Sequence, residues 1–157
     1  MLTGNFDMAG ERKKVFLDAS VFVAAAGSAS GGSSLILEVC KGLYFSAVTT
    51  RKILLEAQIN IRKKLSSEAI LRFYKEIASL NPEIIKPPAN EKLSHYDDVI
   101  ALKDRHVLAG ALESRAVFLI TLDRKHFQTE AIKQANLPIT IMTPKEFLEL
   151  VKKHKEL

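Results

Sequence analysis

Val15-Phe16-Leu17-Asp18-Ala19-Ser20-Val21-Phe22 reads as a short buried strand that stops on an acid and passes at once into a helix. The same punctuation recurs in Val117-Phe118-Leu119-Ile120-Thr121-Leu122-Asp123, where a second apolar run ends on an acid. Asp104 opens a helix of small residues, and Glu56 lies just inside another helix. In an α/β fold the carboxyl ends of parallel strands converge on one edge of the sheet, where ligands bind. Acids tens of residues apart can therefore meet in one pocket. Carboxylates at close quarters repel one another and are costly to keep ionised, so their gathering implies a divalent cation, Mg²⁺ or Mn²⁺.

Outward from these runs, strands and helices alternate. Ser20 is expected to cap a helix beginning Val21-Phe22-Val23-Ala24, which Ser28-Ala29-Ser30-Gly31-Gly32 breaks. A second helix is expected from Ser33 to Lys41, with Leu35, Ile36 and Val39 inward and Gly42 at its end. Tyr44 to Val48 reads as a strand, and Thr49 or Thr50 caps a third helix carrying Leu54, Leu55, Glu56 and Ile59. Ser66 or Ser67 starts a fourth helix, in which Ile70, Tyr74, Ile77 and Leu80 keep helical spacing until Asn81-Pro82; it forms an antiparallel pair with the third. Ile84-Ile85 is a short strand, residues 89–103 follow neither period, and Asp104 to Glu113 is a helix whose Ala109-Gly110-Ala111 permits close approach to the sheet. Val117 to Thr121 reads as a central strand and Ile139 to Met142 as the last. Thr143-Pro144-Lys145-Glu146 is a capping box with proline at the first helical position, sending Phe147, Leu148 and Val151 inward. This alternation predicts a mainly parallel sheet covered on both faces, in one domain over 13–157 behind a flexible leader of residues 1–12.

The composition agrees. A chain of 157 residues can bury roughly 70% of its unfolded surface without a disulfide or structural metal. With 47% hydrophobic and 26% charged residues it has the balance of a globular protein. Its apolar runs fall far short of the ~20 residues that cross a bilayer. Met1 to Lys14 has no apolar signal core, and the single Cys40 permits no internal disulfide, so the expected location is the cytoplasm, away from membranes. The net charge is +5 and the pI near 9.3 despite the acids. Basic residues cluster instead at Arg12-Lys13-Lys14, Arg51-Lys52, Arg62-Lys63-Lys64, Arg124-Lys125 and Lys152-Lys153. A negative pit ringed by positive charge suits a polyanion held through its phosphates, and a merely solvated basic face is the alternative.

Taken singly, each acid has a dull explanation as a turn, a cap or an exposed helix carboxylate. Taken together, Val15 to Phe22, Ile53-Leu54-Leu55-Glu56-Ala57, Lys103-Asp104-Arg105-His106-Val107-Leu108-Ala109-Gly110-Ala111 and Phe118-Leu119-Ile120-Thr121-Leu122-Asp123 resemble, in order and spacing, the PIN-domain ribonucleases. The resemblance runs from Lys14 onward. It implies a three-layer α/β/α sandwich, and a metal-binding active site of Asp18, Glu56, Asp104 and Asp123 supported by the hydroxyls of Ser20 and Thr121. Asp18 and Asp123 would hold the main ion, Asp104 would be shared, and Glu56 would serve a second ion or orient water. It further implies RNA cleavage leaving 5′-phosphate and 3′-hydroxyl ends. A short chain of this kind resembles the toxin of a toxin–antitoxin pair, with a small antitoxin partner and a homodimeric state. Arg51, Lys52, Arg62, Lys63, Lys64, Arg105 and Arg124 are the candidate RNA contacts. One departure stands out. Many relatives carry an acid or amide just after the fourth acid, where this chain has Arg124-Lys125.

Other signals are weaker. The glycine-rich Gly27 to Ser34 lacks the Gly-Lys-Ser/Thr ending of a phosphate-binding loop. His95, His106, His126 and His154 show no paired metal-ligand spacing, so zinc is not expected, and His106 reads as a helix-surface hydrogen-bonding residue, with contact to substrate as the alternative. Cys40 reads as a packed helix residue, and Asp97 and Asp98, in the segment without a clear period, are candidates to extend the acid site. A haloacid-dehalogenase-type phosphatase would need a second Asp at the position of Ser20. A receiver-type signalling domain would need paired acids after the first strand and a lysine after the last. An inactive PIN module that binds RNA or protein without cutting is the remaining alternative.

Overall fold

Five short strands, β1 (Lys13–Leu17), β2 (Phe45–Thr50), β3 (Glu83–Ile85), β4 (Phe118–Ile120) and β5 (Thr140–Met142), form one sheet in the order β3-β2-β1-β4-β5, every neighbouring pair parallel. The computed structural model describes residues 12–155. The expected leader lies outside the described residues except for Arg12, whose guanidinium donates to the carbonyls of Gly42 at 3.2 Å and Phe45 at 3.4 Å. The helices are α1 (Ala19–Gly27), α2 (Gly32–Val39), α3 (Arg51–Lys64), α4 (Ser67–Leu80), α5 (Asn90–Ser94), α6 (Arg105–Glu113), α7 (Arg124–Phe127), α8 (Glu130–Gln134) and α9 (Pro144–Lys155).

Both faces of the sheet are covered, and strand alternation decides by what. Phe45 and Phe118 point to one face, where the Phe147 ring of α9 meets them at centroid distances of 5.2 and 5.3 Å. Phe16 points to the other face against α6. There a Cβ on Gly110 would stand 3.1 Å from Phe16 Cζ and 3.4 Å from Thr50 Cγ2, so the close approach expected of this glycine is real. The outcome is the expected three-layer α/β/α arrangement, with β4 an interior strand as expected and β1 in the middle. The capping box is also present: Glu146 N donates to Thr143 Oγ1 at 3.2 Å, and Thr143 N donates to Glu146 Oε1 at 2.9 Å.

Several local expectations shift. Asp18, not Ser20, is the N-cap of α1, accepting from Ala19 N, because the helix starts directly after the strand. Thr50 caps α3 through Ile53 N, while Thr49 stays in the strand and donates to Leu17 O. The buried stripe of α3 is Ile53, Ala57 and Ile61, leaving Leu55 and Ile59 exposed. On α2 Leu37 is buried and Leu35 exposed, and on α4 Phe73 replaces Tyr74 in the core. These are errors of helical phase, since runs such as Leu-Ile-Leu and Ile-Leu-Leu fit two adjacent faces equally well. Residues 89–104 hold the short α5 and a 3-10 turn over Leu102–Asp104, and α7 and α8 lie between β4 and β5, where the sequence pattern predicts no element. Among the described residues no single helix is long and apolar enough to cross a membrane.

Candidate active site

Parallel pairing places the ends of β1, β2 and β4 on one edge of the sheet, and four acids reach it from different elements. Asp18 follows β1, and its backbone N–H still donates to Ile120 O at 3.2 Å, which ties the end of β1 to that of β4. Its side chain is 8% exposed. Asp18 Oδ1 accepts from Ala19 N at 2.7 Å, and Oδ2 accepts from Thr121 Oγ1 at 2.7 Å and from Ser20 Oγ at 3.3 Å. Burial raises its pKa, those hydrogen bonds pull the other way, and the Asp104 charge adds to the rise. Ser20 and Thr121 do more than hold Asp18. Ser20 Oγ accepts from Leu122 N at 3.0 Å and Thr121 Oγ1 accepts from Asp123 N at 3.1 Å, so the two hydroxyls also shape the turn that aims Asp123.

Asp104 ends the 3-10 turn before α6, and its side chain caps nothing. Its Oδ2 is buried and accepts no hydrogen bond from the described residues. Burial raises its pKa, Lys103 and His126 lower it, and Asp123 raises it. Glu56, on α3, is also raised by burial; Lys52 opposes this and Asp18 and Asp104 add to it. Asp104 thus links the group, sensing Asp123 on one side and acting on Asp18 and Glu56 on the other.

Two histidines join them that the sequence reading did not place here. His106 is buried rather than on a helix surface, with Nε2 3.2 Å from Glu56 Oε1. Burial and the nearby Lys52 lower its pKa to about 4, so near neutrality the imidazole is uncharged and Nε2–H can donate to Glu56. No sequence signal links residues 56 and 106, which sit on different helices. His126 had a readable signal: it lies three residues after Asp123, the spacing of one helical turn. Asp123 caps α7, accepting from His126 N at Oδ1 (3.1 Å), while His126 Nδ1 lies 2.7 Å from Oδ2. Ligand atoms of Asp104, Asp123 and His126 all lie within 4.8 Å of one another.

This donor set fits a divalent cation. An unsatisfied buried carboxylate oxygen beside further acids is an arrangement that a positive ion relieves. Asp104 and Asp123 could hold it with His126, and Asp18 and Glu56 stand beside them.

The basic residues divide. Arg51 and Lys52 open α3 one turn before Glu56, and both are exposed. Arg62, Lys63 and Lys64 close the same helix, about 17 Å from Arg51 along the axis at 1.5 Å per residue. Arg105 is engaged by Asp97 at 2.5 Å, which also places Asp97 beside the start of α6. Arg124 Nε donates to Gln128 Oε1 at 3.2 Å. Cys40 is buried, with its thiol pKa pushed up to about 12 by desolvation, an inert core residue as expected.

The parallel five-stranded sheet with acids collected at its carboxyl edge is the architecture that the PIN-domain resemblance implies, and solved toxin structures share it. Among solved structures the chain is similar to VapBC2 from Rickettsia felis bound to a DNA fragment from its promoter: TM-score 0.59, 17% identity, covering 83% of this chain and 98% of that one. It is also similar to VapC20 of Mycobacterium tuberculosis, a toxin that cleaves the sarcin-ricin loop: TM-score 0.55, 14% identity, 78% of this chain and 95% of that one. At these identities the likeness is one of fold. In sequence the chain is 41% identical over 58 residues to VapC50 of Mycobacterium tuberculosis, a protein named as a ribonuclease; the match covers 34% of this chain and 33% of that protein's length. No family model matches the chain.

Proposed function

We propose that the protein is a metal-dependent endoribonuclease, the toxin of a toxin–antitoxin pair, with residues 13–157 as one nuclease domain. The observation that carries this reading is the convergence of Asp18, Glu56, Asp104 and Asp123 at one sheet edge, with Asp104 Oδ2 buried and unsatisfied. The VapC relatives in sequence and fold support the choice of RNA over other phosphodiesters. The likeness to VapBC2 supports a small antitoxin as partner, and we extend the reading to a homodimer working in the cytoplasm.

Asp104 and Asp123 would hold the cation, Mg²⁺ or Mn²⁺, with Asp18 beside them. When bound, the ion lowers the pKa of the attacking water and offsets charge on the phosphoryl oxygens. Thr121, Ser20 and the Ala19 N–H lock Asp18 in one rotamer, so the carboxylate loses no freedom on engaging the substrate complex. Neutral His106 fixes Glu56 through Oε1. The other carboxylate oxygen of Glu56 is left to take a proton from the attacking water, and its raised pKa makes it a better base than an ordinary glutamate. Arg51 and Lys52, at the mouth of the site, hold flanking phosphates.

The test is cleavage of a structured RNA by purified protein, with and without EDTA, beside Asp123→Asn and Glu56→Gln. Loss of one properly placed electrostatic group costs about 10²-fold or more in rate. Cleavage that survives EDTA, or an Asp123→Asn protein as active as the wild type once contaminating nuclease is excluded, would remove the metal-site reading.

A further inference from the structure

We propose that His126 is a nitrogen ligand of the catalytic cation, and that it tunes the site toward Mn²⁺ over Mg²⁺. The inference rests on the metal-dependent reading above and assigns a residue outside the set of acids.

The geometry comes from one short element. Asp123 caps α7 with Oδ1, and the first turn of that helix brings His126 Nδ1 to 2.7 Å from Oδ2, a hydrogen bond in which the imidazole N–H donates and which a cation bound between the two would replace. Both side chains are 31% exposed, open to an ion from solvent yet fixed by the cap. From the start of α6 Asp104 completes the group, within 4.8 Å of both, and its Oδ2 has no hydrogen bond among the described residues. Asp18, by contrast, already accepts three hydrogen bonds.

A site of oxygen donors alone suits Mg²⁺. Imidazole in place of one oxygen favours first-row transition ions, because nitrogen is the softer donor and Mg²⁺ gains little from it. Arg124 and Lys125, which follow Asp123, offer no oxygen ligand. His126, three residues after Asp123 on the same helical turn, supplies a donor of a different chemical kind.

Pulsed EPR of Mn²⁺ bound to the full chain tests the ligand directly, since a bound imidazole couples its ¹⁴N nucleus to the metal electron spin. The expected result is ¹⁴N coupling in the wild type, kept in His106→Gln and lost in His126→Gln. Calorimetric titration with Mn²⁺ and with Mg²⁺ tests the preference. His126→Gln should lose about tenfold or more in Mn²⁺ affinity and much less in Mg²⁺ affinity, whereas His126→Asp, which restores a hard oxygen, should shift the preference toward Mg²⁺. Thermal melts in EDTA confirm that the variants fold. Equal losses for both ions in His126→Gln, as expected of a histidine that only orients Asp123, would overturn the inference, and so would Mn²⁺ binding without ¹⁴N coupling in the wild type. If the wild type binds neither ion, the inference and the metal-dependent function fall together.

Discussion

Asp104→Asn separates what the acid site does for activity from what it does to stability. Its side chain caps no helix, and Oδ2 is buried without a hydrogen bond, so the substitution removes a charge at almost constant volume. Ligand atoms of Asp104 and Asp123 lie within 4.8 Å. At that separation two like charges repel by about 1 kcal/mol in a water-like medium, the appropriate limit for side chains that stay partly exposed. A carboxyl whose folded pKa is raised contributes stability that is present below its unfolded value of 3.8 and lost as pH rises through the folded one. Near neutrality the charge therefore opposes folding, and the amide relieves it. With Lys103 and His126 offsetting part of the repulsion, the expected gain is about 0.5–1 kcal/mol, or a rise of about 1–4 °C in Tm for a chain of this size in EDTA. Saturating Mn²⁺ should act oppositely on the two proteins. At a hundred times Kd a ligand bound only by the folded state adds about 2.7 kcal/mol, some 5–11 °C, to the wild type. The variant should gain much less, and should lose cleavage by about 10²-fold or more. The assay is a set of thermal melts of both proteins over a metal titration. A wild-type Tm that ignores saturating metal, together with a variant destabilised in EDTA, would show that Asp104 is structural and that the shared-site reasoning is wrong.

His106, with a folded pKa of about 4 against an ordinary 6.5, contributes stability present above pH 6.5 and lost as pH falls toward 4. Relative to His106→Gln, the wild type should therefore lose of order 1–2 kcal/mol between pH 7 and pH 5 in denaturant titrations, and parallel profiles would contradict a buried neutral imidazole. Gly110→Ala should lower Tm by about 2–4 °C, because crowding the fully buried Phe16 ring at 3.1 Å costs about 2 kcal/mol against a helix-propensity gain of about 1. A raised Tm would mean that the α6–sheet contact has slack. RNA affinity should fall with salt at a slope of about 0.7 per phosphate contact. Arg51→Ala with Lys52→Ala should reduce that slope, and the triple change at Arg62, Lys63 and Lys64 should reduce it less; the reverse order would move the RNA path to the far end of α3.

The alternation that makes the sheet parallel, and the acids that close two of its strands, were legible in the sequence because both signals are local. An apolar run ending on Asp18, a second ending on Asp123, and the Thr143-to-Glu146 capping box each declare themselves within eight residues. Side-chain alternation and helix capping act at that range, so the sequence alone determines them. Helical phase was less legible: Leu35, Leu55 and Ile59 fit the expected apolar stripes, but the neighbouring sheet and helices selected the adjacent face. The site's second rank was decided only by tertiary structure. His106 meets Glu56 from another helix, Thr121 meets Asp18 across a β1–β4 pairing that spans 103 residues, and Asp104 finds Asp123 and His126 only once α6 and α7 flank the same sheet edge. Which oxygen is satisfied, which is left bare and which histidine stays neutral depend on burial and on distances between elements. No spacing along the chain encodes those quantities.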